Sequence, residues 1–236
     1  MNMNSLPSKC LSVVIPCYNE GETIFQILEE VLAQDSVGEV ILVDDYSKDN
    51  CVEIISSFMD SRITLLKNSQ NLGKGASVAL GIKSATKTYL VIQDADLEYS
   101  PADYSKLLAL LISDQADVAY GSRFINSLGQ ETDRAWHKFG NFFLTKASNL
   151  FTGLDLTDME TCYKMIKLDF AKKLNIQEKR FGIEPEITAK LARMGARIVE
   201  VPISYTARPY SQGKKITWRD GFAALYCIIK YRFARL

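Results

Sequence analysis

A short apolar segment that ends in two aspartates constrains this chain more than any other feature. Residues 89–92 read Tyr-Leu-Val-Ile, which is the length and composition of a strand buried on both faces. Asp94 and Asp96 follow it, separated by one alanine. In an extended chain both carboxylates point to the same side, about 7 Å apart at their Cα atoms, and a hard divalent cation would relieve their repulsion. Glu98 continues the alternation and would supply a third oxygen.

Asp-x-Asp is common in proteins, so the motif alone is also typical of a strand that ends in a polar loop. The rest of the chain favours a site. Strand-like apolar segments alternate with segments of helical periodicity over the first 92 residues. This alternation predicts an α/β fold with βαβ units and a mainly parallel sheet. The predicted strands are residues 11–16, 39–45, 63–67 and 89–92, and the predicted helices are residues 22–34, 49–58 and 75–86.

Polar side chains follow the first two predicted strands, as the aspartate pair follows the fourth. Pro16, Tyr18 and Glu20 lie at the end of the first strand, and Asp44 and Asp45 close the second. Right-handed crossovers place the carboxyl ends of such strands along one edge, where α/β sheets bind ligands. Three polar clusters on one edge predict a binding site.

Several classes of protein do not fit. Lys+Arg and Asp+Glu both number 28, so no basic field favours nucleic acid. No Gly-x-Gly-x-x-Gly follows the first strand, and residues 73–77 lack Walker A spacing. The five cysteines are scattered, which predicts reduced thiols in a cytosolic protein. No signal peptide is expected at residues 1–9, and no apolar run approaches the ~18 residues of a membrane span. Carboxylates beside a nucleotide suit a nucleotide-sugar site.

The second half of the chain is richer in aromatic residues. Residues 116–120 are predicted to form a strand that delivers Arg123 to the same edge, although a surface salt bridge would also explain this arginine. Further strands are predicted at residues 161–166 and 197–205. Residues 134–152 and 217–233 are amphipathic helices with aromatic stripes, which either lie in a membrane interface, cover the sheet or form a dimer contact. The basic segment 207–215 is interpreted as an anion clamp.

Residues 14–20, 43–47 and 94–98 resemble the opening motifs of family 2 glycosyltransferases, which have the Rossmann-like GT-A fold. Residues 121–124, 158–164 and 181–186, and Arg208 with residues 213–215, resemble the dolichol-phosphate mannosyltransferase-like, or polyprenyl-phosphate glycosyltransferase, branch. Tyr46 departs from the pattern, because family members usually carry glycine there. If the position needs a positive φ, tyrosine is strained.

The resemblance implies a role for each matching residue. Arg123 would serve both catalysis and acceptor binding, and Glu186 either contacts the acceptor or complements the dipole of its helix. The metal would be Mg²⁺ or Mn²⁺. The implied catalytic residues are Asp94, Asp96, Arg123, Arg208 and Lys215; the nucleotide ligands are Pro16, Tyr18, Glu20, Asp44, Asp45 and Asp94; the metal ligands are Asp94, Asp96 and Glu98; and the acceptor ligands are Arg123, Asp158, Glu160 and Glu186.

The implied reaction is inverting transfer of a hexose from a nucleoside diphosphate sugar, of the GDP-mannose or UDP-glucose type, to a polyprenyl or dolichyl phosphate. One alternative is a GT-A transferase for a soluble or polysaccharide acceptor, with Asp158 or Glu160 as base. Another is a non-catalytic nucleotide-sugar-binding module. We expect a catalytic domain over residues 1–215 and an amphipathic helix over 216–236. Peripheral contact with the cytoplasmic face of a membrane is expected, and a homo-oligomer or a membrane partner is possible.

Overall fold

The computed structural model describes residues 7–125, 135–180, 182–207 and 218–234, with the backbone alone at 135–138 and 218–220. Within them, a seven-stranded sheet has the spatial order β3-β2-β1-β4-β6-β5-β7. Every pairing is parallel except those of β6, which is antiparallel to β4 and β5. The predicted mainly parallel sheet is confirmed. Its strands are β1 (Leu11–Cys17), β2 (Val37–Asp44), β3 (Ile63–Lys67), β4 (Tyr89–Ile92), β5 (Val118–Ser122), β6 (Lys164–Lys167) and β7 (Ile198–Pro202).

Helices cover both faces of the sheet. In the first helix, Ile24, Ile27, Leu28 and Val31 recur at helical spacing and are all buried, so one apolar stripe packs on the sheet. Every helix predicted from periodicity is present, with ends displaced by up to a few residues. The helices are α1 (Ile24–Leu32), α2 (Cys51–Ser57), α3 (Lys74–Ser84), α4 (Tyr104–Ile112), α5 (Ala135–Thr152), α6 (Leu168–Lys173), α7 (Ile183–Arg193) and α8 (Trp218–Phe233).

Residues 13–15 of the central strand β1 are all apolar, and their packing explains this. Val13 and Ile15 belong to the core layer that contains α1 and α4, whereas Val14 belongs to the opposite layer with Val78 and Ile82 of α3. Successive side chains of a strand point to opposite faces, so a strand covered on both sides needs apolar residues at every position. The two layers hold the sheet rigid beneath its carboxyl-terminal edge.

The reversed direction of β6 decides which residues reach that edge. Val91 pairs with Met165 and Tyr120 pairs with Lys164 in antiparallel register, and the amide of Gly121 donates to the carbonyl of Tyr163 at 2.8 Å. The residues that precede β6 therefore lie beside the carboxyl ends of β4 and β5. The sequence predicted a strand here, with its start placed three residues too early. It did not predict the direction of the strand.

The two aromatic helices pack against each other, and α8 also packs against α7. On α8 the predicted stripe is exposed, with Phe222 68% and Tyr226 65% accessible. On α5 the predicted aromatic stripe is not exposed along its whole length. Ala147 and Phe151 pack on the core, whereas Phe142 is exposed. We call Phe139, Phe142, Phe143, Phe222, Tyr226 and Phe233, all more than half exposed, the aromatic patch.

A short connection ties α8 to the start of α3. Glu178 accepts hydrogen bonds from Lys230 and Tyr231 of α8, both at 2.7 Å. The next residue, Lys179, accepts a backbone hydrogen bond from Gly75 at 2.9 Å. The helix at 218–233 is thus bonded to the rest of the fold, and a separate unit beginning at residue 216 stays a prediction.

Gly81 permits the contact between α3 and β1, and its substitution tests the packing. A Cβ at this position would overlap Cγ1 of Val14. We expect Gly81→Ala to lower the free energy of unfolding by about 1–3 kcal/mol in urea denaturation, because the core would be overpacked. Gly140→Ala is the matched control: its Cβ would meet nothing within 4 Å, and alanine favours a helix. Equal effects of the two variants would contradict this account.

Candidate active site

The loops after β1 and β2 are joined to each other. The amide of Asp45 donates to the carbonyl of Cys17 at 2.8 Å. The amide of Asn19 donates to Oγ of Ser47 at 3.0 Å, and the amide of Lys48 donates to Oδ1 of Asn19 at 2.8 Å. The predicted clusters around Tyr18 and Asp44 are therefore brought together at one edge, as their positions at strand ends predict.

Asp45 is engaged by the loop that precedes α3, and its expected contact with the nucleotide stays a prediction. Oδ1 accepts hydrogen bonds from Asn68 Nδ2 and the Leu72 amide, both at 2.8 Å, and Oδ2 accepts from the Gly73 amide at 2.7 Å. The side chain is buried. Its carboxylate holds the loop that precedes α3. Asp44 uses Oδ1 to accept from the amide of Ser47 at 3.1 Å.

Tyr46 has φ of 68°, so the position does lie in the left-handed region that favours glycine. Its ring is 44% exposed, and the ammonium of Lys48 lies 3.4 Å from the ring centroid. The departure from the family pattern is thus accommodated with backbone strain, partly offset by a cation–π contact.

Residues 94–98 are not extended, so the prediction that Asp94 and Asp96 share one side of a strand is wrong. The chain turns after residue 94, and Leu97 has φ of 62°. Oδ1 of Asp96 accepts from the amide of Glu98 at 3.2 Å, and the carboxylate of Glu98 accepts from the hydroxyl of Tyr205 at 2.9 Å. The turn presents Asp96 and Glu98 at the edge while Asp94 points inward.

Lys74, at the first position of α3, was not predicted and lies at the centre of the site. Its ammonium contacts Oδ1 of Asp94 at 2.9 Å, Oε1 of Glu184 at 3.2 Å and Sγ of Cys162 at 2.8 Å. Burial alone would lower the pKa of Lys74, but the surrounding negative groups outweigh it, and the pKa lies well above its usual value. A cation is unfavourable at a helix N-terminus without acidic partners, and that was the available signal.

A second ion pair lies on the other half of the edge. Arg123 contacts Asp158 through Nε–Oδ2 and Nη2–Oδ1, both 2.7 Å. Asn141 of α5 donates to Oδ1 of the same carboxylate at 2.9 Å. Burial would raise the pKa of Asp158, but Arg123 and Asn141 hold it below its usual value. Asp158 thus orients Arg123, and its expected contact with the acceptor stays a prediction.

The contacts of Glu186 lie within the fold. Of the two interpretations of this residue, they favour a structural role over contact with the acceptor. Its carboxylate pairs with Lys190 at 2.6 Å and accepts from the amides of Gln177 and Glu178 at 2.8 and 2.7 Å. The side chain is fully buried. These contacts hold residues 177–178 against α7, and contact of Glu186 with an acceptor stays a prediction.

Glu160 is the remaining predicted acceptor residue, and its surroundings differ from those of Asp158 and Glu186. Burial, and then the nearby carboxylate of Glu184, raise the pKa of Glu160 to about 8. Within the described residues, its buried Oε1 has no hydrogen-bond partner. The neighbouring Lys164 donates to the carbonyls of Met159 and Thr161. Glu160 is thus an acid with one oxygen that the described part of the chain leaves without a hydrogen bond.

Arg208 and Lys215 lie outside the described residues. Among the residues described, no group of three His, Cys, Asp or Glu side chains is arranged to hold a metal ion. Mg²⁺ commonly takes only one or two carboxylates, with substrate phosphates and water completing its shell. Asp96 and Glu98, on a partly exposed turn, fit that requirement; Asp94, held by Lys74, fits it less well.

Comparison with known proteins agrees with this geometry. A family model described as Glycosyl transferase family 2 matches residues 12–174. The chain is similar to UDP-N-acetylglucosamine–dolichyl-phosphate N-acetylglucosaminyltransferase of Methanococcus voltae, at 24% identity over 98% of this chain and 99% of that protein. It is also similar to undecaprenyl-phosphate 4-deoxy-4-formamido-L-arabinose transferase of Edwardsiella ictaluri, at 25% identity over 86% of this chain and 62% of that protein.

One solved structure extends the comparison to the fold. Glucosyl-3-phosphoglycerate synthase from Mycobacterium tuberculosis, in complex with Mn²⁺, UDP and glucosyl-3-phosphoglycerate, matches with a TM-score of 0.68 at 16% identity. The match covers 94% of this chain and 80% of that chain. The predicted GT-A fold is confirmed by this likeness. Across the described residues, none of the helices has the length and apolar character needed to cross a membrane.

Removal of Asp158 tests the buried pair. We expect Asp158→Ala to lower the free energy of unfolding by about 3–5 kcal/mol in urea denaturation, because it leaves the arginine buried without its partner. Asp114→Asn is the control, since Asp114 also pairs with an arginine but is 71% exposed, asparagine tolerates its φ of 56°, and a much smaller loss is expected. A similar small loss for both variants would contradict the assignment.

Proposed function

Since the chain belongs to glycosyl transferase family 2, we propose that it transfers a hexose from a nucleoside diphosphate sugar to a polyprenyl phosphate. One observation carries the proposal. Helix α5 exposes Phe139, Phe142 and Phe143 and also donates from Asn141 to the Asp158 that orients Arg123. An apolar surface and an anion-binding side chain are thus joined by one helix, as an acceptor with a lipid tail and a phosphate requires.

The donor occupies the half of the edge formed by β1, β2 and β4. Pro16, Tyr18 and Glu20 contact the base and ribose, with Asp44 beside them. The turn at Asp96 faces the diphosphate. Mg²⁺ or Mn²⁺ held by Asp96 and Glu98 would neutralise charge on the departing diphosphate.

The acceptor phosphate occupies the half formed by β5 and β6. Arg123 binds it, because a guanidinium held rigidly by a carboxylate keeps further N–H donors for a phosphate. Arg208 and Lys215, outside the described residues, are proposed as additional cationic groups. Two relatives whose names specify dolichyl-phosphate and undecaprenyl-phosphate substrates support this acceptor class.

The chemistry needs little from the protein beyond positioning. A phosphate oxygen, already anionic near neutral pH, attacks the anomeric carbon as the bond from that carbon to the diphosphate oxygen breaks. The nucleoside diphosphate leaves and the configuration inverts. Lys74 keeps Asp94 ionised and in place beneath the donor, and Arg123 holds the nucleophile.

A soluble acceptor with a hydroxyl group is the second candidate. The M. tuberculosis enzyme, whose complex contains glucosyl-3-phosphoglycerate, has the same fold. A hydroxyl nucleophile needs a general base, and Glu160, with a pKa of about 8, is better suited to that than the strongly paired Asp158. Transfer to phosphoglycerate but not to lipid phosphate would favour this candidate.

The transfer reaction tests the function directly. Purified protein with Mg²⁺, a panel of nucleotide sugars and undecaprenyl phosphate in detergent should yield glycosylated lipid phosphate. Asp96→Ala should lower the rate at least about a hundredfold, because it removes an oxygen beside the leaving diphosphate. Asp35→Ala, an exposed aspartate away from this edge, should change little. Nucleotide-sugar binding without turnover would instead indicate a binding module.

Liposome flotation tests the proposed contact with a bilayer. We expect Phe222→Ser/Tyr226→Ser to weaken binding to anionic vesicles at least about tenfold, because two exposed aromatic side chains of the aromatic patch would no longer enter the interface. Phe25→Ser removes a similarly exposed phenylalanine of α1 and serves as the control. Undiminished flotation of the double variant would exclude the patch as the membrane contact, and a change from dimer to monomer would identify it as a subunit interface.

A further inference from the structure

The carboxyl group of Glu160 is a buried acid for which the described part of the chain provides no full set of partners. Its Oε1 is inaccessible to solvent and makes no hydrogen bond there. A buried oxygen without a hydrogen-bond donor disfavours the ionised form of its carboxyl group. The residue as a whole is only partly buried, so a substrate can reach the carboxyl group through its other oxygen.

The cations around Glu160 are already engaged. Lys164, from β6, donates to two backbone carbonyls, and Arg123, after β5, is paired with Asp158. The remaining charged neighbour, Glu184 of α7, is held by Lys74. Two carboxylates, Glu184 and Asp158, thus act on Glu160, while the two cations that act on it are bonded to other groups among the described residues, an environment that favours a neutral carboxyl group.

The position of Glu160 selects between the two substrates. It lies in the segment before β6, between the ends of β4 and β5, and Arg123 is among the charges that act on it. The loops assigned to the nucleotide follow β1 and β2 on the other side of β4. Glu160 thus belongs to the half of the edge that is left for the acceptor.

We propose that Glu160 contacts the acceptor as a protonated carboxyl group and donates a hydrogen bond from its other oxygen, Oε2, to an oxygen of the acceptor phosphate. The proposal rests on the proposed function, because it requires a phosphate acceptor beside Arg123. A protonated carboxyl group is a donor to phosphate, whereas the ionised form repels it. The same residue would make acceptor binding sensitive to alkaline pH.

The pH dependence of KM for undecaprenyl phosphate is the primary test. With a pKa of about 8, the protonated fraction falls about tenfold between pH 7 and pH 9, so KM should rise about tenfold in the wild type. Glu160→Gln keeps an N–H donor at every pH, and its KM should stay nearly constant and close to the wild-type value at pH 7. Glu29→Gln, an exposed glutamate of α1, should retain the wild-type profile.

A stability measurement gives a readout that does not depend on turnover. The native state retains a proton on Glu160 that the unfolded chain releases above its ordinary pKa, so this contribution to stability is lost as pH rises towards about 8. Between pH 6 and pH 9 the wild type should therefore lose more stability than Glu160→Gln. If stability falls with pH in parallel for the two proteins, Glu160 is not protonated in the native state and the proposal is overturned.

The remaining outcomes separate this proposal from the function it rests on. If the wild type glycosylates undecaprenyl phosphate and Glu160→Gln keeps the alkaline rise in KM, the proposal alone is overturned. A loss of kcat of about a hundredfold or more at pH 7 with unchanged KM would make Glu160 a general base and overturn it equally. If the wild type transfers sugar only to phosphoglycerate, the proposed function fails and this assignment fails with it.

Discussion

The buried ammonium of Lys74 is the interaction on which the site depends. It joins the first turn of α3 to Asp94 after β4, to Cys162 before β6 and to Glu184 in the first turn of α7. Each of these groups would be costly to bury alone, and the attraction among them offsets that cost only while all are in place. The cluster therefore fixes the relative positions of four separate segments of the chain, on the proposed donor side of the site.

The hydrogen bonds of Asp45 connect the Lys74 cluster to the loops that follow β1 and β2. Its carboxylate holds residues 72 and 73 immediately before Lys74, so the end of β2 determines where α3 begins. On the other half of the edge, Asp158 does the same for Arg123. Two acids that look like ligands in the sequence thus position cations: Asp45 holds the residues before Lys74, and Asp158 pairs with Arg123.

The sequence predicted the sheet well because the central strands β1 and β4 are buried on both faces and appear as largely apolar segments, whereas the outer strands β3 and β7 are only partly buried. It predicted the clustering of the strand ends for the same reason. The direction of β6 left no such signal, since an antiparallel strand of four residues has the composition of a parallel one. The turn after Asp94 was missed because it depends on Leu97 adopting a left-handed conformation, which leucine rarely does.

The roles of individual acids could not be deduced from one chain in the same way. Asp45 and Glu186 are occupied by partners far from them in sequence or by amides of a neighbouring loop, and only tertiary contacts reveal this. The departure of Tyr46 from a glycine pattern left open whether φ is positive at this position, and the backbone shows that it is.

The bonds from Lys230 and Tyr231 to Glu178 have a consequence for how this enzyme can be shortened or diversified. Glu178 immediately precedes the carbonyl on which α3 begins. Helix α8 therefore supports more than its own surface: deleting it would loosen the hold on the start of α3, where Lys74 lies, as well as remove an apolar surface. Descendants that exchange this helix for another type of anchor would need to preserve a replacement partner for that glutamate.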